Sequence, residues 1–76
     1  MNKRKRALLK DAKNLLNKAS EIISGVLEEE EECLDNTPEN LQDSEKYERM
    51  EDVISRLESA IENIDNASED IDEASA

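Results

Sequence analysis

Two stretches of about thirty residues carry apolar side chains at a spacing of seven, and a single proline separates them. In the first, Leu8, Leu15 and Ile22 share one heptad position, d. Ala12, Ala19 and Val26 share position a, and Leu9, Leu16 and Ile23 share e, beside the first row. In the second, Tyr47, Ile54 and Ile61 fall on a, and Met50, Leu57, Ile64 and Ile71 on d. Val53, Ala60, Ala67 and Ala74 flank them on g. A seven-residue repeat of this kind predicts an amphipathic helix, and a stripe three positions wide exceeds what a two-stranded seam covers. The regularity also excludes a disordered acidic tail, which 41% charged residues and one aromatic side chain would otherwise suggest.

The junction between the repeats supplies the stops and starts. Asp35, Asn36 and Thr37 precede Pro38, and the residue before a proline disfavours helical geometry. Thr37-Pro38-Glu39 can open one short turn, and Asp43 and Ser44 offer the next N-cap, with Glu45 favourable at the positive end of a helix dipole. The chain therefore reads as one all-α domain over residues 1–76, with a helix at about 3–35, a connection at about 36–43 and a helix at about 44–74. Two helices of similar length, each about 45 Å long, joined by a short connection, make an antiparallel hairpin. Apolar layers align when partner numbers sum to about 76, so that Leu15 faces Ile61 and Ile22 faces Ile54; a one-heptad slip would shift these pairs. Leu34 and Leu41 would cap the loop end. Gly25 either allows close backbone approach or softens the helix.

The charge is divided along the chain. The net charge is -11, yet residues 1–20 hold seven basic side chains and one acidic one, and Lys3–Arg6 are four consecutive cations. A hairpin lays this start beside Asp65, Glu69, Asp70, Asp72 and Glu73, and we read it first as an internal counterweight that fixes orientation. A nucleic-acid arm is the weaker alternative, since the only aromatic residue lies in the other segment and the rest of the chain repels phosphate. No apolar run approaches the length of a membrane span, and none follows the basic start as a secretory signal requires. With a single cysteine, an internal disulfide is impossible, and a reducing cytoplasm is the expected compartment.

The chemistry that most enzymes need is missing from the sequence. There is no histidine, so Cys33 lacks an activating imidazole; it falls on position a and is expected to be a small core residue. One glycine cannot form a phosphate loop, and the carboxylates lack a calcium-loop pattern. We expect no enzyme, no cofactor and no metal site.

Two surfaces remain. A two-helix hairpin buries mainly a and d, so Leu9, Leu16 and Ile23 on one flank and Val53, Ala60 and Ala67 on the other are expected to self-associate, giving a homodimeric four-helix bundle. Glu28, Glu29, Glu31, Glu32, Asp35, Glu48, Glu51, Asp52, Glu58 and Glu62 form a candidate partner-binding acidic face. Carboxylates along a rigid rod can imitate the phosphates of a duplex, and the plain alternative is that they keep the bundle dissolved.

The junction Pro38-Glu39-Asn40-Leu41-Gln42-Asp43-Ser44-Glu45, with the Glu-rich helix end before it and the regular apolar helix after it, resembles a group of small acidic helical proteins of Gram-positive bacteria and their phages. The resemblance covers about the C-terminal two thirds of the chain and carries no functional residues with it. It implies a setting in which small acidic proteins inhibit host or defence proteins, some by DNA mimicry. The expected function is a non-catalytic protein-binding module docking on a basic, nucleic-acid-handling protein, with no direct nucleic-acid or membrane binding. The alternative is a self-associating structural or assembly protein.

Overall fold

The structure is a computed structural model that describes all 76 residues. It is an antiparallel hairpin of two α-helices, α1 (Lys3–Asp35) and α2 (Glu45–Ser75), joined through a 3₁₀ turn at Glu39–Leu41. The molecule is a rod of 59 × 15 × 13 Å. No helix is long and apolar enough to cross a membrane.

Side chains close each helix end. Asn2 caps α1, its side-chain oxygen accepting from the Lys5 N–H at 2.8 Å. At the other end the Asn36 N–H donates to the Glu32 carbonyl, and the Thr37 hydroxyl donates to the Cys33 carbonyl at 2.9 Å. Thr37 thus finishes α1; the 3₁₀ turn itself has no side-chain cap. Ser44, of the two candidate caps, is the one used: its Oγ accepts from the Tyr47 N–H at 3.1 Å and donates to the Leu41 carbonyl at 2.7 Å. Glu45 and Glu48 occupy the first turn of α2, where negative charge is favoured.

The seam is thin. Ile54 alone is buried, at 9% exposure, and the remaining seam residues are half-buried. Along α1 the half-buried line runs Leu9, Leu16, Ile23, Leu27 and Leu34, with Ala12 and Ala19 beside it. Along α2 it runs Tyr47, Met50, Val53, Leu57, Ala60, Ile61, Ile64, Ala67 and Ile71. Of the pair expected at the loop end, Leu34 is half-buried and Leu41 stands 49% exposed. Cys33 is exposed, not a core residue, because the face of α1 that meets α2 is turned away from it. A Cβ on Gly25 would meet nothing within 4 Å, so close approach within the hairpin is not its role.

One ion pair marks the register, from Lys13 to Asp72. Their numbers sum to 85, whereas the simplest alignment gave about 76. A lysine side chain spans several residues of helix rise, so the pair marks a displacement from that alignment toward higher sums. Asp72 reaches no cation nearer the start of α1 than Lys13. Lys3–Arg6 are all exposed and form no ion pair, so within one hairpin the counterweight is limited to Lys13.

Candidate functional site

The depressions in the hairpin are open to solvent. The larger depression is a half-open groove of about 590 Å³ at the loop end, lined by Cys33, Thr37, Pro38, Leu41, Tyr47 and Met50 among others. It is mostly apolar and gathers no acid–base pair. No three His, Cys, Asp or Glu side chains are placed to hold a metal ion. The surfaces that remain are the charged and apolar sides of the rod.

The ten acidic residues expected to bind a partner are all exposed, and none is in an ion pair. They do not form one patch. Each residue turns a helix by 100°, and an antiparallel pair places equivalently displaced rows on the same side of its plane. Counted from the seam, Glu28, Glu31 and Asp35 of α1 share a side with Glu51, Glu58 and Glu62 of α2. Glu29 and Glu32 lie on the outer back of α1, and Glu48 and Asp52 on that of α2. Six of the ten are therefore brought together, within a part of the rod that is strongly negative: residues 21–62 hold fifteen acidic and three basic side chains, a net -12.

The apolar flank differs from expectation on α1. Leu9, Leu16 and Ile23 are not an outer flank; they are half-buried against α2. The exposed row is the one beside it, Leu8 at 53%, Leu15 at 70%, Ile22 at 62% and Val26 at 43%. The helix is turned by one residue, about 100°, from the orientation in which d would meet α2. The cause is visible in the sequence. Past Ile23 the seam line steps by four onto Leu27 and then Leu34 at the junction, whereas the line through Ile22 steps onto Val26 and then Cys33. The larger side chains of the first line bury more apolar surface, and it takes the seam.

On α2, Val53, Ala60 and Ala67 are half-buried and edge the seam. They precede the Ile54, Ile61 row by one residue, as Leu8, Leu15 and Ile22 precede the Leu9, Leu16 row. By the same antiparallel geometry the two sets lie on one side of the rod, opposite the side of Glu28, Glu31, Glu51 and Glu58. The hairpin therefore has an apolar side and an acidic side. Comparison with protein-family models, curated proteins and solved structures finds no match to this chain.

Proposed function

We propose that this chain is a non-catalytic protein-binding module whose acidic side docks on a basic, nucleic-acid-binding surface of another protein. The observation that carries this is the gathering of Glu28, Glu31, Asp35, Glu51, Glu58 and Glu62 on one side of a rod, unpaired and with no cation among them. Carboxylates held in rows on a stiff rod present a field like that of a duplex backbone, which carries one charge per about 1.7 Å of axis. A basic cleft is steered toward such a rod, and the attraction is screened by salt. The test is capture from a Gram-positive bacterial lysate at low and at about 0.5 M salt, beside a variant with these six carboxylates changed to amides. Recovery of a nucleic-acid enzyme that is lost in both comparisons, and that DNA displaces, supports the proposal. Recovery of nothing that responds to salt or neutralisation defeats it.

A second reading, a self-associating structural or assembly protein, is favoured by one specific observation. Leu8, Leu15, Ile22 and Val26 form an uncovered apolar row on α1, and rows of that length mark interfaces. On this reading the acidic side only keeps the assembly dissolved.

A further inference from the structure

We propose that the apolar side is covered by a second copy of this chain, laid antiparallel so that α1 packs on α1 of its partner. The inference rests on the second reading above and does not require the acidic side to bind anything. Three observations lead to it.

The first is the thinness of the core. One residue of 76 is buried, and a chain this small rarely stands on so little. The exposed surface is 6055 Å², against about 4,700 Å² for a compact monomer of the same mass. The excess of about 1,400 Å² is larger than the roughly 800 Å² per partner that a standard interface covers.

The second is the order of residues along α1. The uncovered row is bracketed by opposite charges, with Lys3–Arg6 before Leu8 and Glu28–Glu32 after Val26. When one α1 is reversed against another, Leu8 meets Val26 of the second copy, Leu15 meets Ala19, and Ile22 meets Ala12, so that large side chains oppose small ones. The same register sets Lys5 opposite Glu29 and Arg4 opposite Glu32, at both ends of the seam. Glu29 and Glu32 are the two α1 residues of the candidate acidic face that lie off the acidic side. A parallel pair would instead stack cation on cation and Glu run on Glu run. Like charges meet at one place only, where Lys18 falls near the two-fold axis.

The third is the state of the basic start. Lys3–Arg6 are exposed and form no ion pair in their own chain, and are free to reach carboxylates in another. The basic start is then a counterweight to a second molecule.

The experiment is sedimentation equilibrium of the full chain in reductant, with three variants, followed by cross-linking of two cysteine variants. The wild type should sediment at twice 8.6 kDa. Leu15→Lys should weaken association by more than about tenfold. Glu29→Lys/Glu32→Lys should do the same, and adding Arg4→Glu/Lys5→Glu to it should restore the dimer. That rescue also holds if Leu15→Lys proves unfolded. For orientation, a Cys33→Ser chain carrying both Leu8→Cys and Val26→Cys should be joined into dimers by a short bis-maleimide, while Leu8→Cys alone should not. A wild type that stays monomeric at about 100 µM overturns the proposal. So does a swapped-charge chain that fails to recover, or efficient joining through Leu8→Cys alone, which signals a parallel pair. Failure here leaves salt-sensitive capture by the acidic side unaffected, so the two results separate.

Discussion

The two helices carry similar apolar repeats and dispose of them differently. Every large apolar side chain of α2 lies in the seam, and its outer surface is polar apart from Ala74. α1 puts one row into the seam and leaves an equally apolar row, Leu8, Leu15, Ile22 and Val26, in water. A helix with one apolar stripe has one neighbour to find; a helix with two has a second vacancy after the first is filled. The hairpin satisfies α2 and leaves α1 half satisfied, so the two helices should respond oppositely to substitution.

The largest expected contrast is between Ile54 and Leu15. In thermal unfolding followed by circular dichroism, at a dilution that keeps the chain monomeric, Ile54→Ala should cost about 2–5 kcal/mol and erase the cooperative melt. Leu15→Ala, at 70% exposure, should shift it by less than about 0.5 kcal/mol. Equal losses would mean that α1 has one working face, not two. A smaller effect comes from the Ser68 hydroxyl, which is buried in the seam without a partner. Ser68→Ala should stabilise the hairpin by about 1 kcal/mol, since it removes an unpaired polar group and improves helix propensity. Denaturant midpoints at matched slope measure it, and a loss would show that the hydroxyl is bonded in solution. The smallest effect is on the open side of α1. Gly25→Ala introduces a methyl group that meets nothing and should add about 0.5–1 kcal/mol. No gain would place strain in α1 at this point.

Much of the fold is legible in the residues. The ends of both helices, the Ser44 cap and the antiparallel hairpin follow from Pro38, the capping residues and the seven-residue spacing. The register does not, because a repeat with similar apolar content in each heptad leaves neighbouring alignments close in energy; the pairing of Lys13 with Asp72 comes from the structure. The choice of seam row on α1 is hidden for a related reason. Two adjacent rows are equally apolar over Leu8–Ile23, and only the continuation through Leu27 and Leu34 favours one of them. The misplacement of Cys33 and of Leu9, Leu16 and Ile23 follows from that single turn of the helix. Exposure of the ten candidate carboxylates follows from their place off the apolar rows; their division into a shared side and two outer backs depends on the rotation and so on the structure.

The rod's proportions also govern how it turns in water. Backbone N–H bonds in an α-helix point along its axis, so those of α1 and α2 point along the 59 Å dimension. Spinning about that dimension leaves them aligned as before, and only end-over-end tumbling reorients them. A copy laid alongside thickens the rod without lengthening it. Spin then slows a great deal and tumbling much less. Nuclear relaxation of the backbone amides would therefore understate the arrival of a lateral neighbour. The leucine and isoleucine methyl groups, whose axes lie across the rod, would register it.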